Sequence, residues 1–191
     1  MALAPTAADH AGTIAERYLR EARGCTGPLP PTLAFLPPLK PENHPAMIAA
    51  FALVDEPQPG QLGEPRDASA IHLTLLRTDG NGKADVTPNK IIVGSPRSRP
   101  IVLAAVNDLL GLAICEGIED ALSAHAGTGL GAWAAGAAGF MPALADPVPS
   151  YIEWITICAH ADRAGANAAR KLATALERRD IGTTIDGIAP Q

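Results

Sequence analysis

The chain has 191 residues, of which 47% are hydrophobic, and a formal net charge of −5; this apolar content supports a packed core and excludes wholesale disorder. Glycine, proline or charge interrupts every apolar run well before the roughly 20 residues of a membrane span, and the first residues lack the basic and apolar regions of a secretory signal. The three cysteines are far apart and form no CxxC pair, so we expect neither a disulfide framework nor a zinc site. We also expect a soluble cytoplasmic protein without a membrane partner.

The first part of the chain predicts a small α+β lobe over residues 1–110. An amphipathic helix is expected at 13–24, because Thr13 can cap it and Gly24 can end it. β-rich segments follow it at 46–55, 71–77, 90–93 and 99–106. The Asp-Gly-Asn-Gly sequence at 79–82 lacks the glycine spacing of a nucleotide-binding P-loop, so we interpret it as a hairpin turn.

From residue 111 onward the pattern changes to strands that alternate with helices, which predicts a second domain over 111–191. Strands are expected at 112–117, 131–139, 153–162 and 182–189, and helices at 118–127, 140–145 and 164–180. This alternation implies an α/β fold with a parallel sheet and crossover helices. In such sheets functional groups gather at the carboxyl ends of the strands.

Charge is distributed unevenly along the chain. The second part carries five Lys or Arg residues and nine Asp or Glu residues, whereas the segment 77–99 has five basic residues and two acidic ones. This basic hairpin is either a solvated turn or an arm that contacts the phosphates of a nucleic acid. Its basic residues are Arg77, Lys83, Lys90, Arg97 and Arg99.

Two of the predicted parallel strands end in acids, Glu116 and Asp162. Gly117 and Gly165 follow them, and we expect these glycines to let the chain turn sharply into a helix. Two carboxylates at one edge of a sheet suit a hard divalent cation such as Mg²⁺, which takes oxygen ligands and keeps waters for a phosphate.

Each candidate also has a plainer interpretation. Glu116 can be an ordinary surface acid, and Asp162 can cap the following helix while it also binds metal. The imidazole of His160 suits Mn²⁺ or Zn²⁺ better than Mg²⁺, and His160 is a metal ligand, a phosphate contact or a relic. Asp120, one helical turn from Glu116, supports the site or is a solvated helix acid. Arg163 contacts phosphate or lies on the surface.

These residues carry a family resemblance. The Glu-Gly of residues 116–117, with Asp120 four residues after the glutamate, resembles the first motif of the Toprim domain of topoisomerases, primases and related nucleases. The sequence His-Ala-Asp-Arg-Ala-Gly at 160–165 resembles the second motif, with His160 in the place of the first of two aspartates. The resemblance covers roughly residues 110–188, and the lobe before it is similar to the segment that precedes Toprim in phage- and plasmid-type primase-helicase proteins.

The resemblance implies a Toprim parallel sheet with flanking helices and metal-dependent nucleotidyl or phosphoryl transfer on nucleic acid, most like that of a DNA primase. Glu116, Asp162 and His160 would bind Mg²⁺ or Mn²⁺ and carry the catalysis, and Asp120 and the two glycines would support them. The implied partners are DNA or RNA, nucleotides, and a helicase or zinc-binding protein supplied in trans.

Three departures from the family pattern keep other functions open. His160 replaces an aspartate, and the further acidic loop and the Cys-rich zinc ribbon of full-length primases are not found in this sequence. The alternatives are a catalytically degenerate Toprim module that binds nucleic acid or a replication partner, and a Toprim nuclease.

Overall fold

A five-stranded antiparallel sheet forms the first part of the computed structural model, which describes residues 8–40, 42–58, 60–106 and 110–187. Its strands are ordered as in the chain: β1 (Ala8–Asp9), β2 (Leu33–Leu36), β3 (Ala46–Val54), β4 (Pro65–Leu75) and β5 (Lys90–Gly94). Helix α1 (Ile14–Arg17) continues as a π-helical segment (Tyr18–Ala22), and the Thr13 side chain caps it by accepting from the Ala15 amide. The expected α+β lobe with its helix and strands is therefore present.

A second sheet contains the alternating strands and helices. Its elements are β6 (Ile101–Ala104), β7 (Gly111–Cys115), α2 (Ile118–Thr128), β8 (Gly131–Ala134), a 3-10 helix (Ala138–Ala145), β9 (Trp154–Cys158), α3 (Arg163–Glu177) and β10 (Gly182–Asp186). The order is β10-β9-β7-β8-β6, and all neighbours are parallel except β6, which runs antiparallel to β8. The predicted α/β architecture with a parallel sheet and flanking helices is confirmed.

The boundary between the two predicted domains is less sharp in space than in sequence. Strand β6 lies inside the range 1–110, yet it pairs with β8 of the second sheet. One core cluster also joins buried residues of both parts, including Tyr18 and Phe51 from the first and Cys115 and Ile118 from the second. The two parts therefore share a core. Residues 1–7, 107–109 and 188–191 of the predicted domains, and the end of the predicted last strand, lie outside the described residues.

The predicted turn at 79–82 is present but does not lead directly into the next strand. The Arg77 amide donates to the Gly82 carbonyl, and Leu76 bridges to Lys83, which closes the turn. Residues 84–89 then intervene before β5 begins at Lys90. Lys83 is thus held at the base of a turn.

The helices of the second part follow from simple local signals. Helix α3 is rich in alanine and leucine, and its apolar side packs on the second core cluster through Ala169, Leu172 and Leu176. Gly129 caps the carboxyl end of helix α2, and its φ of 70° is the left-handed conformation that favours glycine. Within the described parts of the chain, every helix is too short or too polar to span a bilayer.

Candidate metal centre at the carboxyl edge of the parallel sheet

Strands β7 and β9 are neighbours and deliver the predicted site residues to the same edge. They run parallel with Cys115 opposite Cys158, so Glu116 and the segment 159–162 leave the sheet side by side. The sequence prediction that these strand ends meet is therefore confirmed by the strand register.

His160 lies between two carboxylates. Its Nδ1 is 3.5 Å from Oε2 of Glu116, and its Nε2 is 3.1 Å from Oδ2 of Asp120. The His160 side chain is half exposed, so water and small ligands can reach it. The arrangement gathers two acids around one imidazole, and a positive charge at this point is favourable for both.

Glu116 has an unsatisfied oxygen. Its Oε2 is buried and has no hydrogen-bond donor, because the His160 nitrogen at 3.5 Å is too distant for a good hydrogen bond. A buried carboxylate oxygen without a donor is costly, by about 1–3 kcal/mol or more for a charged group. A cation bound beside Glu116 would remove this cost, and a carboxylate oxygen is a ligand of the kind that hard divalent ions take.

Asp162 acts as the N-cap of α3. Its Oδ1 accepts a hydrogen bond from the Gly165 amide at 2.7 Å, and its backbone is extended, as an N-cap requires. Among the residues that the structure describes, no three His, Cys, Asp or Glu side chains form a group that could hold a metal ion. The structure thus brings Glu116, His160 and Asp120 together, while Asp162 engages the helix.

Gly117 and Gly165 matter to the site because they have no side chain, and not because of unusual dihedral angles. Neither has a positive φ, so the expected conformational role is not what requires glycine here. A Cβ on Gly117 would lie 2.7 Å from Oδ2 of Asp120, and a Cβ on Gly165 would lie 2.5 Å from the His160 carbonyl oxygen. Both glycines therefore let site residues approach the start of a helix.

A buried ion pair lies behind the site, in the first turn of α2. Oε1 of Glu119 accepts a hydrogen bond from the Tyr18 hydroxyl at 2.5 Å and lies 2.8 Å from Nζ of Lys83. Burial alone raises the pKa of Glu119, but the hydrogen bonds from Lys83 and Tyr18 outweigh it and lower that pKa to about 2. Burial, and then the Glu119 charge, raise the pKa of Tyr18.

The sequence interpretation missed Glu119 and Tyr18. Adjacent acids at 119 and 120 give no signal of which one faces inward, and the sequence places Lys83 in the basic hairpin without indicating a partner for it. The structure shows that Lys83 joins the first part of the chain to the helix that follows Glu116.

Two thiols lie directly beneath the site. Cys115 is fully buried and Cys158 is partly buried. The neighbouring thiol of Cys158, and then burial, raise the pKa of Cys115.

The other residues that are predicted to contact phosphate differ in their ion pairs and in their exposure. Arg77 is paired with Asp79 and Asp85, at 3.6 and 3.0 Å. Lys90 and Arg97 are exposed and Arg99 is partly buried, and Arg163 is exposed as the first residue of α3. The role of these residues in binding nucleic acid stays a prediction.

Comparisons with known proteins gave two family matches. Residues 2–103 match the family described as Domain of unknown function (DUF7146), and residues 111–186 match the family described as Toprim domain. The searches of curated proteins and of solved structures gave no match. Toprim domains generally bind Mg²⁺ and have metal-dependent functions related to nucleic acids. The chain therefore belongs to the family described as Domain of unknown function (DUF7146), and it carries a Toprim domain over residues 111–186.

Proposed function

We propose that the chain carries out Mg²⁺- or Mn²⁺-dependent nucleotidyl or phosphoryl transfer on nucleic acid in the cytoplasm, most like primer synthesis in phage or plasmid replication. The observation that carries this proposal is the buried, donor-free oxygen of Glu116 at the edge where β7 and β9 end. The antiparallel lobe before the Toprim domain favours a primase over the other Toprim enzymes, since it occupies the place of the segment that precedes Toprim in primase-helicase proteins.

Glu116 and Asp162 would hold the cation, Asp162 through a carboxylate that also caps α3, and Asp120 would support them from the far side of His160. When bound, the metal would neutralise charge on a phosphate and orient the attacking hydroxyl. Glu116 can hold or release a proton at the same edge, as the acid or base of the transfer. His160 keeps the carboxylates of Glu116 and Asp120 in place from between them.

Basic side chains would bind the polymer backbone. The candidates without an ion pair among the described residues are Lys90, Arg97, Arg99 and Arg163, and they would position DNA or RNA without reading its sequence. Arg77 and Lys83 already have acidic partners, so we assign them a smaller share of the phosphate contacts. A helicase or a zinc-binding protein in trans would supply the functions for which this sequence has no motif.

The first test is metal binding. Calorimetry with Mn²⁺ and Mg²⁺ should show saturable binding to the wild type, a large loss in Glu116→Gln, and no loss in Glu177→Gln, which removes an exposed acid at the end of α3. If the folded wild type binds neither ion, or if both variants bind equally, the proposed metal centre is wrong.

The reaction is tested separately. Primer synthesis requires template, nucleotides and metal, whereas a nuclease cuts DNA or RNA without added nucleotides. If cleavage needs no nucleotides and is lost in Glu116→Gln, the chain is a nuclease and not a primase.

One observation favours the degenerate module as the second candidate. Both ring nitrogens of His160 face carboxylates, and the described residues contain no cluster of three metal donors. The variant His160→Asp distinguishes a degenerate module from a working catalytic site. A gain of metal binding and activity in this variant would favour a degenerate module, whereas loss of wild-type activity would favour a working site that uses the histidine.

A further inference from the structure

Two of the three cysteines lie directly opposite each other on neighbouring strands. Cys115 is the last residue of β7 and Cys158 is the last residue of β9, and the register of these parallel strands pairs the two. Adjacent strands are about 4.8 Å apart. This spacing lies within the range of about 4.4–6.8 Å between the Cα atoms of a disulfide. Both cysteines are free thiols in the structure.

The two thiols also lie on the same face of the sheet. Cys115 belongs to the first core cluster, and Cys158 packs against that cluster. Ile114 and Ile157, which precede them in their strands, belong to the second cluster on the opposite face. The side chains of the pair therefore project in the same direction from adjacent backbone positions, as a disulfide requires.

Solvent reaches this pair from the side of Cys158. Beyond β9 lies the edge strand β10, where the exposed Asp186 is paired with Cys158. Trp154, on the same face of β9 as Cys158, is 53% exposed. Cys158 is only partly buried at the border of this open surface, whereas Cys115 is fully buried. A small oxidant would therefore meet Cys158 before Cys115.

We propose that Cys115 and Cys158 form a redox modification site, at which hydrogen peroxide closes a reversible disulfide between β7 and β9. In the first step the Cys158 sulfur attacks a peroxide oxygen, the O–O bond breaks, and Cys158 becomes a sulfenic acid while water leaves. In the second step the Cys115 sulfur attacks the Cys158 sulfur, the S–O bond breaks, and a second water leaves with the Cys115 proton. Two electrons thus pass from the two thiols to one peroxide. A dithiol reductant returns two electrons and two protons and becomes a disulfide itself.

The disulfide would tie the sheet together at the edge that carries the candidate metal centre. Cys115 directly precedes Glu116, and Cys158 lies two residues before His160. A covalent link between the two strand ends opposes local opening of this edge. We therefore expect the amides around both cysteines to exchange more slowly in the oxidised chain than in the reduced chain. The inference does not depend on the proposed function, because neither thiol has a part in it.

Thiol counting and peptide mapping on the full chain test the modification. Hydrogen peroxide added to the folded chain should lower the free thiols, counted afterwards in denaturant, from three to one, and dithiothreitol should restore all three. Digestion after glutamate separates the two cysteines, because Glu116, Glu119 and Glu153 lie between them. The oxidised chain should then release a disulfide-linked pair of peptides that contains Cys115 and Cys158. This measurement needs no variant.

Three variants test the order of the two steps. Cys25→Ala is the control, because Cys25 is buried and lies outside both strands, and it should still form the disulfide. Cys115→Ala should leave a sulfenic acid at Cys158 that dimedone traps, and should abolish the difference in amide exchange. Cys158→Ala should leave Cys115 unreactive. Circular dichroism reports whether each variant folds.

Several results would overturn the proposal. They are three free thiols in a folded chain under conditions that oxidise the urea-unfolded chain, a disulfide that includes Cys25, a disulfide between two chains, and oxidation of Cys158 without a link to Cys115. Equal amide exchange in the oxidised and reduced chains would show that the disulfide does not fix the edge of the sheet.

Discussion

The buried pair of Lys83 and Glu119 should contribute far more to stability than the exposed ion pairs of this protein. The Glu119 side chain is 8% exposed and that of Lys83 is 24% exposed, so little water can replace either partner. Substitution Lys83→Met removes the cation and leaves the carboxylate buried with the Tyr18 hydroxyl as its remaining partner.

The magnitude follows from the pKa of Glu119. A drop from the ordinary 4.5 to about 2 corresponds to about 3 kcal/mol of preference for the charged form in the folded state. Removing one partner of a buried ion pair costs about 3–5 kcal/mol in general. Since Lys83 is partly exposed, we expect Lys83→Met to lower the free energy of unfolding by about 2–3 kcal/mol at pH 7.

Urea denaturation of a double-mutant cycle measures the interaction. Glu119→Gln keeps the shape of the side chain, and the double variant should lose clearly less stability than the two single variants together. The pH dependence has a definite sign. Because the folded pKa lies below the unfolded one, the stabilisation by Glu119 is complete above about pH 4.5 and is lost as the pH falls toward 2.

The control is Arg66→Met, which breaks the pair of Arg66 and Asp55. Their N···O distance of 2.6 Å is shorter than that of the buried pair, but their side chains are 71% and 58% exposed. We expect a loss of at most about 1 kcal/mol. If Arg66→Met costs as much as Lys83→Met, or if the cycle is additive, burial does not decide the strength of these pairs and the reasoning is refuted.

Three further outcomes are expected. Burial, together with the charge of Lys90, lowers the pKa of His72 to about 4. Because the unfolded chain then binds a proton that the folded chain does not, the free energy of unfolding should fall by up to about 3 kcal/mol as the pH falls from 6.5 to 4. Urea midpoints measured over this pH range should show the decrease, and His72→Gln should flatten this pH dependence. Gly165→Ala should lower the stability measured by thermal unfolding by about 1–3 kcal/mol, because the new Cβ meets the His160 backbone. The control is Gly127→Ala in α2, where a Cβ meets nothing within 4 Å, and it should leave the stability unchanged or raise it slightly. Asp162→Ala should destabilise the fold by about 1 kcal/mol through the lost cap even without metal, and a variant with unchanged stability would contradict the capping role.

Periodicity and turn residues were enough to predict the elements of the second sheet. Strands β7 and β8 are short apolar runs that begin with a glycine and have another glycine within two residues of their end, and α3 has the apolar stripe of a helix. The parallel order then follows, because strands that alternate with helices have few other arrangements. This reasoning also predicted that Glu116 and Asp162 would lie at the same edge of the sheet; the structure places His160 beside Glu116 there, while Asp162 caps α3.

Contacts between distant parts of the chain could not be predicted in the same way. The pairing of Lys83 with Glu119 depends on how the turn at 77–82 docks on α2, and no local pattern encodes that docking. Strand β6 likewise looks like the last strand of the first lobe, yet it pairs with β8, since strand patterning does not specify the partner.

At His160 the departure from the Toprim family pattern has an electrostatic consequence. An aspartate there would place a third carboxylate beside Glu116 and Asp120, and like charges at such distances are stable only with a bound cation or a shared proton. The imidazole can instead donate to one acid and, when charged, attract both, so the edge holds together without a metal ion. The orphaned Glu116 oxygen nevertheless shows that histidine does not satisfy the whole site. We therefore expect the histidine to reduce the need for a metal ion at this edge, which is why metal binding and activity must be measured separately.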